Sequence, residues 1–403
     1  MPITEQAARF LLSPQGRALT QEAETLLADR VDTLPALTRL RKAAAPDLCA
    51  AAWELAVLRP RLGVKFGPDA GRLFATRESM EQASGLRASA YHASRFVDLG
   101  ATHVHDVCGG IGGDVLAFAR AGLTVTLYEL DPVRALFARA NAEACGLAHL
   151  ISVRGEDVTG AALTPGAVWF DPARREGGKR IPSPDDYVPP LPLAHHWAAQ
   201  GLSPIGIKLS PAIDHALAAD YACDLEFLSD GGECKEALLW RGMGSADVGT
   251  VRAVLLSDNA PQVLAGPADL PAPLEADTHC RYLYEPDPAV IRAHLVGTLA
   301  PTLNAYAIDP HIAYLVSETL APTPFARAYE VVERFPYSRR ALQDALTRRG
   351  VGQVVVKKRG FPLEPDAVRK QLKLAGSESL IVVLTRKGDT HVALLCRALP
   401  PPS

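Results

Sequence analysis

The stretch Asp106–Asp114 reads DVCGGIGGD and begins at the end of an apolar run, THVHDV, that has the composition of a β-strand. Four of its nine residues are glycines, which lose more backbone entropy on ordering than any other residue. A turn from a parallel strand into a helix lies at the carboxyl edge of the sheet, where open α/β folds bind ligands. The stretch therefore predicts a turn whose backbone passes close to a ligand, with a plain tight turn as the alternative.

The sequence around this turn alternates between short β-rich runs and helical stretches. The runs LTVTLYEL, HLISVRG, GAVWFDP and SPIGIKLS each follow a segment with helical character. Such alternation predicts βαβ units and a parallel sheet with helices on its faces. We therefore predict an open α/β domain over residues 99–245.

The preceding residues, 1–98, carry apolar positions at helical spacing. Proline lacks the N–H group that a helix interior needs, so Pro35, Pro46 and Pro60 are predicted to separate short helices. This part of the chain predicts an N-terminal helical domain.

The C-terminal part of the chain has a different organisation. A proline-rich stretch, NAPQVLAGPADLPAPLEAD, lies in segment 246–325 and predicts a connecting region. Residues 326–403 alternate strand and helix patterns and predict a small α+β domain.

Composition limits the class of protein. The 403 residues carry a formal net charge of −3, and the seven cysteines form neither a CxxC pair nor a Cys/His cluster. No charged leader with an apolar core and no run of membrane-spanning length is present. We expect a cytoplasmic protein without a disulfide framework, a metal site or a membrane span.

A carboxylate follows the glycine-rich turn at an informative distance. Glu129 ends the next strand about twenty residues on, where a carboxylate accepts hydrogen bonds from ribose hydroxyls. Asp106 leads the glycines, no GK[ST] follows them, and Asp114 places negative charge where a phosphate would sit. An acid at this place can instead receive the amino group of an amino-acid-bearing nucleoside. The ligand implied is S-adenosylmethionine.

Residues 106–147, DVCGGIGGDVLAFARAGLTVTLYELDPVRALFARANAEACGL, resemble the cofactor-binding core of Rossmann-like methyltransferases. They look most similar to the trimethylguanosine synthase-like group, which methylates guanine in RNA. The resemblance extends over about residues 70–175 and includes FATRESMEQAS, which is similar to the family's segment that helps to close the cofactor pocket. It implies a Rossmann-like methyltransferase sheet.

The resemblance also implies roles for single residues. Glu129 corresponds to the ribose ligand and Asp157 to the acid that contacts adenine, with the adjacent Glu156 as the alternative. The loop around the methionine end of the cofactor corresponds to Asp106, Gly109, Gly110 and Gly112.

The chain departs from the family after the fourth strand, where nucleic-acid methyltransferases carry [DNS]-P-P-[WYF]. Here the sequence is WFDPARREGGKR, with Asp171, Pro172 and Arg174 in the first, second and fourth places. An acid at this strand end can accept a proton or a hydrogen bond from an exocyclic amine or ring nitrogen, and proline stiffens the backbone. Because the aromatic residue is missing, Arg174 either stacks on a base or clamps a phosphate.

Other candidates have competing interpretations. Lys208 ends the fifth strand at the same edge and is predicted to join the catalytic residues, with a plain surface lysine as the alternative. Cys108 has no identifiable base to activate it, so we expect it to pack against the cofactor rather than act as a nucleophile. His195 and His196 are predicted to lie on a helix face.

Basic residues concentrate near the C-terminus. Between Phe325 and Ala375 twelve basic residues face five acidic ones, an excess of seven in a chain with net charge −3. This segregation predicts phosphate contacts, with a solvated helix face as the alternative, and KKRGF (357–361) offers both charge and a ring. The order of elements is similar to the THUMP-like domain that accompanies RNA methyltransferases.

Together these features predict an S-adenosylmethionine-dependent methyltransferase whose substrate is a base in RNA, either rRNA or tRNA. A methyltransferase acting on a small molecule is the first alternative. A cofactor-binding protein without catalysis is the second.

Overall fold

The structure is a computed structural model that describes residues 3–173, 175–176, 179–180, 187–242, 250–274 and 280–400. The chain divides into two compact units. The first comprises Met1–Asp224 and Leu238–Val248, and the second comprises Leu225–Ala237 and Gly249–Ser403.

The first unit begins with helices, as predicted. They are α1 (Glu5–Leu12), α2 (Pro14–Ala28), α3 (Thr33–Leu40), α4 (Pro46–Phe66), a 3-10 helix (Gly67–Arg72), α5 (Arg77–Gln82) and α6 (Leu86–Asp98). Two of the predicted breaks correspond to helix starts, since Pro35 and Pro46 lie in first turns, where no backbone N–H partner is lost. The break predicted at Pro60 is wrong: α4 continues through it, with Leu58 and Leu62 fully buried on either side.

The helical region and the helices of the sheet share one hydrophobic core. Leu55, Leu58 and Phe74 from the helical region belong to the same buried cluster as Leu116 and Phe137 from the following α/β region. Burial of apolar surface is the main favourable term in folding, so this shared core holds the N-terminal helices on the sheet.

Strands and helices then alternate as predicted. The elements are β1 (His103–Val107), α7 (Gly113–Arg120), β2 (Thr124–Tyr128), α8 (Pro132–Ala144), β3 (Ile151–Arg154), a 3-10 helix (Val158–Gly160), β4 (Ala167–Phe170), β5 (Arg175–Glu176), β6 (Lys179–Arg180), α9 (Leu193–Ala199) and β7 (Ile205–Leu209). The order β7-β4-β1-β2-β3 is parallel throughout. This confirms the predicted Rossmann-like sheet.

The register of this sheet brings three predicted site residues together. Val107 at the end of β1 pairs with Tyr128 of β2 and with Phe170 of β4. The residues that follow these three strand ends therefore emerge side by side at the carboxyl edge. They are Cys108, Glu129 and Asp171.

Three elements follow β7 along the chain: α10 (Ala216–Asp220), β8 (Asp224–Asp230) and β9 (Glu233–Arg241). In the second unit β8 pairs in parallel with β10 (Val251–Leu256), which pairs antiparallel with β11 (Gln262–Gly266). Part of the proline-rich stretch thus forms a strand.

The rest of the second unit is an α+β fold, as predicted. Its elements are β12 (Tyr282–Pro286), α11 (Pro288–Arg292), α12 (Val296–Thr302), β13 (Tyr306–Asp309), β14 (Ile312–Ser317), β15 (Ala326–Pro336), α13 (Arg339–Arg348), β16 (Val351–Lys358), α14 (Pro365–Lys370), β17 (Glu378–Lys387) and β18 (Thr390–Ala398). The strands form a seven-stranded sheet of order β13-β14-β12-β15-β18-β17-β16.

Segment 246–325 contributes β12, β13 and β14 to this sheet, next to strands of the 326–403 segment. The four-segment division made from the sequence stays a prediction. None of the helices that the structure describes has the length and apolar character needed to cross a membrane.

Candidate active site

The glycine-rich turn between β1 and α7 has left-handed backbone at Cys108, Gly110 and Gly112, with φ values of 67°, 58° and 91°. A Cβ atom at Gly109 would lie 2.2 Å from Leu127 Cδ1 and 2.7 Å from Asp106 Oδ1. Glycine is the residue that tolerates positive φ without strain and leaves room for such close packing. The positive φ angles of Gly110 and Gly112 and the close packing at Gly109 explain why this turn contains glycines despite their entropic cost on folding.

Glu129 holds this turn against the end of β2. Its carboxylate accepts the N–H of Gly110 at 3.0 Å and the N–H of Asp131 at 2.9 Å. Burial raises the pKa of Glu129, and the two backbone hydrogen bonds oppose that shift. The carboxylate is therefore fixed at the cavity wall by its own loop.

The segment before α6 is tied to the same turn. The side chain of Asn141, buried on α8, accepts the N–H of Phe74 at 2.8 Å and donates to the carbonyls of Phe74 and Ile111 at 3.0 Å. Lys65 Nζ donates to the carbonyls of Glu81 and Ala83. These contacts place the FATRESMEQAS segment beside the glycine loop, which agrees with its predicted location.

A cavity of ≈ 710 Å³ opens at this edge of the sheet, within the size range of ligand pockets. It is lined by most of the predicted site residues: Asp106, Cys108, Gly109, Gly110, Glu129, Asp157, Asp171, Pro172 and Lys208. Gly112 does not line it but caps the N-terminus of α7. Arg174 lies outside the described residues.

Asp106 is fully buried at the base of the cavity. Neither of its carboxylate oxygens has a hydrogen-bond partner among the residues that the structure describes. Burial raises its pKa well above the ordinary value, and the nearby Asp114 and Asp171 raise it further. An unpartnered buried acid of this kind is stabilised when a cationic group binds beside it.

A chain of polar contacts crosses the floor of the cavity. His92 Nδ1 lies 2.8 Å from Asp114 Oδ1, Ser84 Oγ donates to Asp114 Oδ2 at 2.9 Å, and Lys208 Nζ donates to Ser84 Oγ at 3.0 Å. Lys208 also forms an ion pair with Asp171 Oδ2. Lys208 is only 5% exposed, so this is a buried network rather than a surface pair.

The network keeps Asp114 negatively charged. Burial would raise the pKa of Asp114, but His92, Lys208 and the hydrogen bonds from His92 and Ser84 together hold it well below the ordinary value. Asp114 is therefore an anion that anchors Ser84 and faces Lys208. This is a different role from the simple repulsion of phosphate inferred from the sequence.

The pKa of the Cys108 thiol is shifted in the opposite direction from that of Asp114. Burial raises the pKa of its thiol far above the ordinary value, and Glu129, Asp171 and Asp106 add to the shift. Because the thiolate is the nucleophilic form of cysteine, Cys108 is unsuited to covalent catalysis. Its location on the cavity wall agrees with the predicted packing role.

The other end of the cavity is open to solvent. Asp157 is exposed there and caps the short 3-10 helix by accepting the N–H of Thr159 at 2.9 Å. This hydrogen bond and a second one from the Thr159 side chain lower the pKa of Asp157. Glu156 also lines the cavity and pairs with Arg154 at 3.4 Å.

Sequence reasoning missed the contribution of the network. Ser84 and Asp114 line the cavity, and His92 supports Asp114 from α6. The signal for Ser84 was its place in a segment already expected to close the pocket, whereas no local pattern marked His92. His195 and His196 are exposed on α9 and are not among the cavity-lining residues, as predicted.

The cavity fits S-adenosylmethionine by its charge. Among its described lining residues, Lys208 and Arg134 are the cations, against seven carboxylates: Asp106, Asp114, Glu129, Asp131, Glu156, Asp157 and Asp171. A negative cavity attracts a ligand that carries a sulfonium and an ammonium group and disfavours a polyphosphate. The orphaned Asp106 carboxylate would hold the amino group, and Glu129 and Asp157 would hold the ribose and the adenine. Within the described ranges, no group of three or more His, Cys, Asp or Glu residues is arranged for a metal ion.

The family models match two parts of the chain. Residues 326–398 match the THUMP domain-like family, and residues 5–61 match a domain of unknown function. The first match covers the C-terminal α+β region and confirms the predicted THUMP-like likeness.

Two comparisons extend over nearly the whole chain. The crystal structure described as that of a methyltransferase from Porphyromonas gingivalis W83 shares the fold with a TM-score of 0.77 and 24% identity, over 95% of this chain and 98% of that one. Uncharacterized S-adenosylmethionine-dependent methyltransferases of Mycobacterium tuberculosis strains CDC 1551 and H37Rv are 31% identical over 92% of this chain and 98% of their own length. With the cavity described above, this likeness shows that the chain belongs to the S-adenosylmethionine-dependent methyltransferases.

Proposed function

We propose that the protein methylates a nitrogen of a base in RNA, with Asp171, Pro172 and Lys208 at the reacting end of the cavity. The observation that carries the proposal is the presence of a THUMP domain-like region, residues 326–398, on a chain whose other unit contains the methyltransferase cavity. The resemblance of the core to the trimethylguanosine synthase-like group supports the same substrate class. So does the excess of seven basic residues between Phe325 and Ala375.

When bound, S-adenosylmethionine supplies an electrophilic methyl group. Asp171 is suited to orient the acceptor, because its side chain is 22% exposed and stands at the cavity wall beside the glycine loop. Its Oδ2 pairs with Lys208, and a carboxylate, which has several acceptor lone pairs, can take a hydrogen bond from a base N–H in addition to such a pair. This hydrogen bond would align the nitrogen for attack on the methyl group. The Asp171 carboxylate would take the nitrogen's proton as the N–C bond forms and the methyl–sulfur bond breaks, with S-adenosylhomocysteine as the leaving group.

Lys208 holds the Asp171 side chain by an ion pair. An opposite charge within ion-pair distance favours the carboxylate, although the cavity holds several other acids. Ser84 and Asp114 fix the Lys208 ammonium in turn, so the network sets where the Asp171 carboxylate lies. Pro172 is buried next to it and restricts the backbone at this strand end.

Basic residues follow Asp171 and Pro172 closely in the sequence. Arg174, Arg175, Lys179 and Arg180 follow within nine residues of Asp171 in the sequence. Positive charge that follows Asp171 so closely in the sequence suits a substrate that brings a phosphate backbone with its base. We propose that Arg174 either stacks on the target base or binds a phosphate of the RNA.

We expect the purified protein to transfer a labelled methyl group from S-adenosylmethionine to RNA isolated from cells that lack its gene. The label should be precipitated by acid and released by ribonuclease. RNA from cells with the gene serves as the control and should accept much less. Label found only in the low-mass fraction of a cell extract would favour a small-molecule substrate, and cofactor binding without any product would contradict catalysis.

A further inference from the structure

The structure changes the account of the basic segment 357–361, which the sequence marks as the RNA contact. Lys357 Nζ lies 2.6 Å from Glu285 Oε2, Arg359 lies 3.8 Å from the other oxygen of Glu285, and Lys358 Nζ lies 2.6 Å from Glu364. The side chains of the three cations are only 26–28% exposed. Their charge is therefore largely used within the second unit.

The ring in this segment is also unavailable. Phe361 is 6% exposed and packs edge-on against Tyr337 and His391, with ring centroids 4.7 and 5.1 Å away. A ring with so little exposed surface offers almost no face on which a base could stack. The predicted contribution of KKRGF to RNA stacking is wrong for Phe361.

A different group of cations is exposed on α13, on the last turn of α14 and just after α14. We define the α13–α14 basic face by five exposed residues: Arg339, Arg340, Arg369, Lys370 and Lys373. Within the described part of the chain, no carboxylate lies within ion-pair distance of Arg339, Arg369, Lys370 or Lys373. Arg340 has a weak partner, Asp344 at 3.7 Å, and that pair is 93% and 58% exposed.

These cations lie close together because the residues just after α14 are hydrogen-bonded to α13. Gln343 of α13 accepts the N–H of Lys373 at 2.8 Å and donates to the Lys373 carbonyl at 2.7 Å. Arg339 donates to the carbonyl of Gln371 at 3.4 Å. The contacts fix the backbone of residues 371–373 beside α13, while all five basic residues stay exposed.

The electrostatics of the two helices leave this charge uncompensated. Arg339 and Arg340 lie in the first turn of α13, which has no acidic residue, and a cation there adds to the positive end of the helix dipole. The nearby carboxylates are Asp344, already facing Arg340, and the exposed Asp366 in the first turn of α14. Five cations thus face two acids on this surface, and among the described residues only Arg340 has a carboxylate, that of Asp344, within ion-pair distance.

We propose that the α13–α14 basic face is the surface that contacts the phosphate backbone of RNA. This inference rests on the proposed function, since it names the surface by which the same substrate is held. A row of exposed cations on a fixed backbone suits the regular negative charge of a nucleic acid, whereas the paired cations of segment 357–361 do not.

The test compares two triple variants with the same change of net charge in the full-length protein. One replaces Arg369, Lys370 and Lys373 by glutamine, and the matched control replaces the carboxylate-paired Lys358, Arg348 and Arg349 by glutamine. The probe is a fluorescein-labelled stem–loop RNA, titrated by anisotropy at several salt concentrations. Circular dichroism confirms that both variants are folded.

The face variant should bind about tenfold or more weakly at low salt, with its salt slope reduced by about 2–3 for three lost phosphate contacts. The control should stay near the wild-type affinity and slope. Equal losses in both variants would reduce the effect to net charge and overturn the inference, as would wild-type binding by the face variant. If the wild-type protein itself bound the RNA without salt dependence, the proposed RNA function would fail instead.

Discussion

Replacing Asp171 by asparagine should abolish most methyl transfer while leaving cofactor binding intact. The substitution keeps the size of the side chain but removes the negative charge that pairs with Lys208 and that we propose accepts the base proton. Loss of such a group typically costs about 10²–10⁴ in rate. The measurement is single-turnover transfer of a labelled methyl group to RNA, with calorimetry of S-adenosylmethionine binding on the same preparation.

The matched control is Glu143→Gln, which removes an exposed carboxylate on α8 outside the cavity. It should transfer methyl groups at the wild-type rate. Near-normal transfer by Asp171→Asn would move the reacting end of the cavity elsewhere. A joint loss of transfer and cofactor affinity would show that Asp171 acts in binding rather than in chemistry.

Ser84 separates the effect of the network from that of Asp171 itself. Ser84→Ala removes the hydroxyl that lies between Lys208 and Asp114, so Lys208 is held less well while Asp171 is unchanged. We expect kcat to fall by less than in Asp171→Asn with an unchanged cofactor KM, and Ser84→Thr to recover part of the loss. An equal effect of the alanine and threonine variants would argue against a positioning role for the hydroxyl.

The second large effect is expected at Glu129. Replacing it by alanine removes the carboxylate proposed to bind the ribose and also the anchor of the Gly110 and Asp131 N–H groups. Hydrogen bonds to a charged group are worth about 1.5–3 kcal/mol, which corresponds to about a 10- to 150-fold loss of cofactor affinity. Calorimetry with S-adenosylmethionine and S-adenosylhomocysteine measures it.

Glu129→Gln separates the two roles of this residue. The amide oxygen can still accept one loop N–H, so the turn is held while the charge is lost. Its affinity should lie between those of the wild-type and Glu129→Ala proteins. Unchanged affinity in a folded Glu129→Ala protein would remove Glu129 from the cofactor site.

The sequence predicts the sheet and its ligand-binding edge because the relevant signals are local. Strand runs, the glycine-rich turn and the acid at the end of β2 all lie between residues 103 and 129. The parallel order then places the ends of β1, β2 and β4 side by side, which unites Asp106, Glu129 and Asp171 without knowledge of the packing.

The features that the sequence does not predict depend on contacts between distant residues. Ser84 and Lys208 are 124 residues apart, and Lys357 and Glu285 are 72 apart. No periodicity reports such pairings, so the sequence indicates neither the buried network nor the ion pairs of segment 357–361. Pro60 shows the same limit, because the buried leucines around it stabilise a helix that local propensity would end.

Mass spectrometry of nucleosides tests most directly whether the protein methylates an RNA base at the Asp171 end of the cavity. RNA would be digested from cells that lack the gene and from the same cells carrying either the wild-type gene or Asp171→Asn. We expect one methylated nucleoside to be missing without the gene, to return with the wild-type gene and to stay missing with Asp171→Asn. An identical set of methylated nucleosides in all three samples would contradict it.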